Sequence, residues 1–187
     1  MMYRGEIASR IVTCARARGW PLFVGNGYLA REVMAMVEPG EARALPLQGG
    51  MGLAGAVAAG FVLAGASSRA VVLEGDGNHL MGWSCAQFIA FQQLPIIHVV
   101  SANGVYASTG GQTVPRRGGP QDVSACAAAL GYGQGFAVES AEELEDALAT
   151  ATDTALPVLV YVAEDPRSVA PRRSPETSAR YAAALRT

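Results

Sequence analysis

The sequence predicts one doubly wound α/β domain, with a mainly parallel sheet of about six strands and helices on both faces. The chain has 187 residues, of which 50% are hydrophobic, which is enough for one compact core. Short apolar runs alternate with segments of helical periodicity along most of the chain. Residues 96–100 are apolar except for His98, a pattern typical of a strand buried on both faces of a parallel sheet.

Helices and strands alternate in the first half of the chain. Apolar residues at helical spacing predict a first helix, which Gly19 ends, and Pro39-Gly40 ends the second. The predicted helices cover residues 7–17, 28–37, 51–66 and 80–93. Short apolar runs between them predict strands over residues 21–24, 44–47, 70–74 and 96–100.

The second half continues the alternation after a long loop. Residues 102–120 are rich in Gly and Pro and too long for a simple connector, which is typical of a functional loop. Ser140 and Glu143 predict a capping box at the start of a helix. The remaining predicted elements are helices over 122–130 and 141–151, strands over 135–138 and 158–162, and a short terminal helix over 178–185.

Composition narrows the classes of function. The formal net charge is -2, so no broad basic field attracts nucleic acid or an anionic membrane. Three widely spaced cysteines favour a reducing cytoplasm, and the amino terminus lacks an apolar signal core. We expect a cytoplasmic, unprocessed domain over residues 1–164. Residues 165–187 are predicted to be an exposed tail that is flexible or packs on a partner.

Polar motifs follow two strands of the predicted sheet. Gly75-Asp76-Gly77-Asn78 follows one strand, and Asn103-Gly104-Val105-Tyr106 follows the next. In an open parallel sheet, ligands bind outside the carboxyl ends of the strands. Carboxylate, amide and carbonyl oxygens suit Mg²⁺, and glycines let backbone amides approach a phosphate. The two motifs therefore predict a metal and phosphate site.

This pair of motifs, at this spacing, resembles the diphosphate-binding domain of thiamine-diphosphate-dependent enzymes. The resemblance implies that Asp76, the Asn103 side chain and the Val105 carbonyl hold Mg²⁺, and that Asn78 contacts the cofactor diphosphate. The further cofactor-binding residues that it implies are Gly25, Asn26, Gly49, Gly50, Met51, Gly75, Gly77, Tyr106, Ala107, Ser108 and Thr109. From the residues alone, Asn26 fits a ligand contact and a simple turn equally well.

A second stretch, residues 48–52, agrees with the resemblance. Its glycines flank Met51, which matches the hydrophobic residue beneath the cofactor in that family. The resemblance implies a catalytic contribution from Met51, which bends the cofactor into its V shape, and from the Gly49 carbonyl, which accepts from the 4'-amino group. Without the neighbouring motifs, Met51 is better explained as the first core residue of a helix.

Within the family, the chain is most similar to the small subunit of sulfopyruvate decarboxylase and to the matching half of phosphonopyruvate decarboxylase. Residues 27–32 and 106–113 carry this similarity. It implies decarboxylation of a small 2-oxoacid with a terminal sulfonate or phosphonate. Thr109 stands where pyruvate decarboxylase-type enzymes carry an acid, which argues against a simple pyruvate decarboxylase.

The resemblance also implies a partner. Family enzymes need a glutamate against the pyrimidine ring, and it belongs to a separate pyrimidine-binding domain. We therefore expect a second subunit, an assembly such as α₂β₂, and a chain that is catalytically inert alone.

Several alternatives stay open on the sequence. A carboligase or a non-catalytic cofactor-binding module would carry the same motifs, whereas a nucleotide-binding Rossmann protein fits poorly because no GxGxxG follows the first predicted strand and no acidic residue closes the second. His79 is a candidate proton donor or acceptor for substrate, or a helix-start histidine bonded locally. His98 is expected to be a buried neutral imidazole. Gln112, Arg31 and Arg116-Arg117 are candidate anion-binding residues.

Overall fold

The computed structural model describes residues 1–115 and 121–185, apart from the side chains of residues 121, 123 and 124. It contains a six-stranded sheet in the order β2-β1-β3-β4-β6-β5, and every neighbouring pair is parallel. The strands are β1 Leu22–Val24, β2 Ala44–Pro46, β3 Ala70–Gly75, β4 Ile96–Ala102, β5 Gln134–Val138 and β6 Val158–Ala163. The predicted fold class is confirmed.

Helices cover both faces of the sheet. They are α1 Arg4–Ala17, α2 Tyr28–Met36, α3 Ala54–Leu63, α4 Asp76–Met81, α5 Trp83–Phe91, α6 Gln121–Leu130, α7 Ala141–Asp153 and α8 Ser178–Ala184. The core on one face contains Ile7 of α1 and Leu144 of α7. The core on the other face contains Ala58 of α3 and Ile89 of α5. Alternate residues of β3 supply both cores, because successive strand side chains point to opposite faces.

The predicted capping box is present at α7. The Ser140 side chain accepts from the Glu143 backbone N–H, and the Glu143 side chain accepts from that of Ser140. Together these two bonds satisfy amide groups that a helix start leaves unpaired. No helix in the described part of the chain is long and apolar enough to cross a membrane.

The helix predicted over residues 80–93 is wrong in extent. The chain enters α4 at Asp76, immediately after β3, and Gly82 separates α4 from α5. Gly82 packs directly on the turn at Gly52: a Cβ on Gly82 would lie 2.4 Å from the Gly52 carbonyl oxygen. The two helices therefore change direction where a third segment crosses them closely.

The helix predicted from Met51 also begins later, at Ala54. Gly52 has a φ of +76°, a left-handed conformation that interrupts a helix and that favours glycine. Met51 thus lies in a turn before α3 and is not the first core residue of that helix.

The carboxyl-terminal segment is not an exposed tail throughout. Helix α8 packs against β2, and Tyr181 is buried with its hydroxyl donating to the Val37 carbonyl at 2.6 Å. The Ser178 hydroxyl also donates to the Pro46 carbonyl at 2.6 Å. These contacts connect the segment after residue 164 to the edge of its own sheet, a long-range packing that the local sequence pattern did not indicate.

Candidate cofactor site

The two predicted motifs meet at the carboxyl ends of adjacent strands. Strands β3 and β4 are paired, and Gly75 lies opposite Ser101 in their register. Asp76 therefore follows the end of β3 beside the point where Asn103 follows β4. Both residues line one cleft, as the sequence predicted from the rule for open parallel sheets.

The Asp76 carboxylate connects the two turns. It is only 7% exposed, and its Oδ1 accepts from the Gly77 N–H at 3.0 Å. Its Oδ2 accepts from the Gly104 N–H, across the sheet edge, at 2.8 Å. These contacts orient the group, and each carboxylate oxygen has the capacity to accept more than one bond.

Asn103 is held from both ends of its amide. Its Oδ1 accepts from the Val105 N–H at 3.0 Å, and its Nδ2 donates to Glu164 Oε1 at 3.3 Å. Asp76, Asn103 and Val105 all line the cleft and offer a carboxylate, an amide and a carbonyl oxygen. This set of hard oxygen donors fits Mg²⁺, which prefers oxygen ligands and keeps part of its water shell.

Most of the other predicted cofactor-binding residues line the same cleft. Those that line it are Asn26, Met51, Gly75, Gly77, Asn78, Tyr106, Ala107, Ser108 and Thr109. A Cβ on Gly77 would lie 2.4 Å from the Tyr106 ring, so only glycine lets this ring approach α4 so closely. The hydroxyls of Ser108 and Thr109 and the Asn26 amide provide groups that can bond phosphate oxygens.

The Asn78 side chain connects the turn at Asn26 with the turn at Gly52. Its Nδ2 donates to the Asn26 carbonyl at 3.1 Å, and its Oδ1 accepts from the Gly52 N–H at 3.2 Å. The Asn26 side chain in turn accepts from the Gly49 N–H at 3.1 Å. Asn26 is therefore more than a turn residue, since it links two strand ends. The predicted contact of Asn78 with a diphosphate stays a prediction.

Three predicted glycines lie beside the cleft rather than on its wall. Gly25 packs on Glu74, and a Cβ there would lie 2.8 Å from the Glu74 Cβ. Gly49 and Gly50 form the turn that presents Met51 to the cleft. The roles predicted for the Gly49 carbonyl and for the Met51 side chain concern a bound cofactor, and they stay predictions.

His79 is among the buried residues and not among those that line the cleft. Its Nδ1 lies 3.1 Å from Glu74 Oε1, and its ring packs edge-on against Trp83. Burial lowers the pKa of His79, against the opposing effect of Glu74. The structure thus favours local bonding over a direct contact with substrate, and a catalytic role for His79 stays a prediction. His98 is buried as expected.

Sequence reasoning missed two charged residues of the cleft, Glu164 and Arg4. Glu164 is 3% exposed and follows β6; it accepts from the Ser101 hydroxyl at 2.7 Å and from the Arg4 guanidinium at 3.2 Å. Its position after another parallel strand was a usable signal. Arg4 gives no such signal, because it lies near the start of the chain and meets Glu164 through a long-range contact, next to the bridge between Met2 and Glu164.

The structure describes two of the four candidate anion-binding residues. Arg31 stacks over the Tyr28 ring, 5.1 Å from its centroid, and Gln112 lies on the exposed loop. Arg116 and Arg117 lie outside the described residues. Neither Arg31 nor Gln112 is among the residues that line the described cleft.

We expect Glu164→Gln to lower the free energy of unfolding by about 1–3 kcal/mol, because it removes a buried charge that holds Asn103, Ser101 and Arg4. Glu32→Gln is the matched control, since Glu32 bonds the same Arg4 at 3.2 Å but its side chain is 17% exposed. Urea denaturation followed by circular dichroism measures both. Equal losses in the two variants would contradict the role given to Glu164.

A family model matches most of the chain. The family model for the thiamine pyrophosphate enzyme C-terminal TPP binding domain matches residues 24–162. Two curated relatives are phosphonopyruvate decarboxylases: that of Streptomyces viridochromogenes is 41% identical over 122 residues, and that of Streptomyces hygroscopicus is 37% identical over 123 residues. Each alignment covers 65% of this chain and 30% of the relative, so the match spans about a third of those proteins.

Solved structures share the fold. An enzyme from Mycobacterium smegmatis described as thiamin diphosphate-dependent superposes with a TM-score of 0.65 at 21% identity, covering 88% of this chain and 32% of that one. Benzoylformate decarboxylase from Polynucleobacter necessarius superposes with a TM-score of 0.66 at 16% identity, covering 89% and 34%. At these identities the likeness establishes the architecture alone.

Proposed function

Because the chain belongs to the thiamine pyrophosphate enzyme family through its C-terminal TPP-binding domain, we propose that it is one part of a decarboxylase acting on a small 2-oxoacid. In this proposal it binds the diphosphate of thiamine diphosphate together with Mg²⁺. The observation that carries the proposal is the convergence of Asp76, Asn103 and Val105 on one cleft within the matched region.

The residues of this chain would act mainly by binding and orienting the cation and the cofactor diphosphate. Asp76, Asn103 and the Val105 carbonyl would bind the cation, while Ser108, Thr109 and Asn26 would bond phosphate oxygens. Glu164 and Gly104 would keep Asn103 and Asp76 in place through the bonds described above. Thiamine diphosphate, when bound, supplies the carbon nucleophile and the electron sink for loss of CO₂.

For the substrate we propose a three-carbon 2-oxoacid with a terminal anion, of the phosphonopyruvate or sulfopyruvate kind. Support comes from the two phosphonopyruvate decarboxylases with which the chain shares 41% and 37% identity. Turnover of phosphonopyruvate, sulfopyruvate and pyruvate by the assembled enzyme distinguishes these substrates. An aldehyde product supports decarboxylation, whereas an acyloin product would mean a carboligase.

We further propose that a separate pyrimidine-binding subunit completes the site. The matched region corresponds to 30% of each curated relative, so most of those proteins lies outside it. The cleft described here offers groups suited to a metal and a diphosphate, which account for only one end of the cofactor. The ring end would then be held by the partner.

Native mass spectrometry of the chain purified from its own cells, with Mg²⁺ retained, tests the proposal. We expect a complex that contains a second chain and a bound mass equal to thiamine diphosphate. A homo-oligomer that fails to take up thiamine diphosphate when it is added would overturn both the cofactor and the partner. A homo-oligomer that binds the cofactor and is active alone would overturn the partner only.

For Met51→Ala we expect the activity of the assembled enzyme to fall at least about tenfold, with the Kd of thiamine diphosphate changed by less than about threefold. The reason is that Met51 lines the cleft with an apolar side chain, so it can shape the cofactor without binding its charge. Steady-state kinetics and calorimetric titration measure the two effects. Parallel losses of activity and affinity would count against this role.

A further inference from the structure

A second cluster of possible metal ligands lies apart from the cleft. Glu74 of β3, His79 of α4 and His98 of β4 are 2%, 6% and 1% exposed. Glu74 Oε1 lies 2.8 Å from His98 Nε2 and 3.1 Å from His79 Nδ1. One ligand atom from each of the three lies within 4.8 Å of the others. The proposed function uses none of these three side chains as a ligand.

The cluster contains a buried carboxyl group that is only partly satisfied. Glu74 Oε1 contacts both imidazoles, whereas the second oxygen of this carboxyl group, Oε2, has no hydrogen-bond partner among the described residues. A buried oxygen without a bond is costly unless a cation or a donor compensates it.

Two of the distances are close to those of a zinc site. Four-coordinate Zn²⁺ with bonds of about 2.0–2.1 Å places its ligand atoms about 3.4 Å apart. Each imidazole nitrogen lies within about 0.3–0.6 Å of this spacing from the Glu74 oxygen, and the two nitrogens lie within 4.8 Å of each other. Two imidazoles and one carboxylate also form a recurrent ligand set for Zn²⁺.

The proton of the His98 imidazole presents no obstacle to a metal ion. In neutral rings, His98 donates from Nε2 and His79 from Nδ1 to Glu74, so metal binding requires each ring to move its proton to the other nitrogen. For His98 that nitrogen, Nδ1, lies 3.0 Å from the Tyr132 hydroxyl, which can rotate to accept. A histidine ligand that donates its other N–H to a neighbouring group is the usual arrangement in metal sites.

We propose that Glu74, His79 and His98 bind one Zn²⁺ ion beneath the cofactor cleft, with Tyr132 orienting His98. The site differs in chemistry from the cleft, where the oxygen donors of Asp76, Asn103 and Val105 suit Mg²⁺. It joins β3, β4 and α4, the elements that carry the two motifs. This proposal does not depend on the proposed function.

Metal content and affinity test the proposal on the full chain. The protein is produced in zinc-supplemented medium, purified in excess Mg²⁺ so that the cleft is saturated, and analysed by inductively coupled plasma mass spectrometry. We expect about one Zn²⁺ per chain. Replacement by Co²⁺ should give the intense visible absorption of a four-coordinate ion with nitrogen and oxygen ligands.

Variants locate the ion. Glu74→Gln and His79→Gln should each weaken Zn²⁺ binding more than about 100-fold in competition with a chromophoric chelator, since loss of an outer-shell partner alone costs about 10–100-fold. Asp76→Asn, in the cleft, should leave Zn²⁺ binding unchanged. His79 lies on the short helix α4, whereas Glu74 lies within the central strand β3, so His79→Gln keeps the test valid if Glu74→Gln fails to fold.

Two results would overturn the proposal. One is a wild-type chain that holds no more Zn²⁺ than His79→Gln, which would make the cluster a hydrogen-bonded network only. The other is loss of Zn²⁺ on Asp76→Asn, which would place the ion in the cleft.

Discussion

Replacing Asp76 with alanine or asparagine is expected to weaken Mg²⁺-dependent binding of thiamine diphosphate at least about 100-fold, which corresponds to about 2.8 kcal/mol. Asp76 is the only carboxylate among the three proposed cation ligands, so its loss removes the charge that attracts Mg²⁺. Isothermal titration at millimolar Mg²⁺ measures the effect. Asp76→Asn is the sharper variant, because it keeps the shape of the side chain and one acceptor for the Gly77 or Gly104 N–H.

The matched control for this experiment is Asp146→Asn. Asp146 is an exposed acidic residue of α7 and does not line the cleft. It should leave both cofactor affinity and the circular dichroism spectrum unchanged. Retained binding in a folded Asp76→Asn protein would refute the assignment of Asp76 as a metal ligand.

Gly82→Ala is expected to lower the free energy of unfolding by about 2–3 kcal/mol, the upper range for overpacking. Gly82 has φ −89° and ψ 15°, which alanine can adopt, so the cost is steric rather than conformational. The new Cβ would lie 2.4 Å from the Gly52 carbonyl oxygen and 3.2 Å from its carbonyl carbon, and backbone cannot rotate away. Urea denaturation followed by circular dichroism measures the loss.

Gly60→Ala is the matched control for Gly82→Ala. Gly60 is an exposed residue of α3, and a Cβ there would meet nothing within 4 Å. Alanine should therefore stabilise the helix by about 0.5–1 kcal/mol. A Gly82→Ala protein as stable as the wild type would show that α4 and Gly52 do not pack as closely as described.

The Gly82 contact also bears on the site. Gly52 packs against Gly82, the residue between α4 and α5. Gly52 also donates its N–H to the Asn78 side chain, and it directly follows Met51 in the chain. Displacing this turn should therefore weaken cofactor binding as well as stability. A stability loss with unchanged cofactor affinity would show that the Met51 turn moves independently of Asn78.

Local patterns were sufficient for the architecture and for placing Asp76 beside Asn103. The strands are apolar runs and the helices have apolar spacing, because burial of each element against the sheet imposes those periodicities on its own residues. Asp76 and Asn103 could be paired from the sequence since they directly follow strands, and carboxyl ends of parallel strands share one edge. The capping box at Ser140 was predictable for the same reason, as both partners lie within one helical turn.

Contacts between distant segments could not be read from the chain. Arg4 and Glu164 meet in the cleft although 160 residues separate them, and α8 returns to β2. The break at Gly82 and the delayed start of α3 follow from two backbones in close contact. His79 and His98 looked like unrelated histidines, and only the pairing of β3 with β4 places both on Glu74. Such contacts depend on which elements lie side by side in the fold, and the local periodicity of the sequence carries no information about that arrangement.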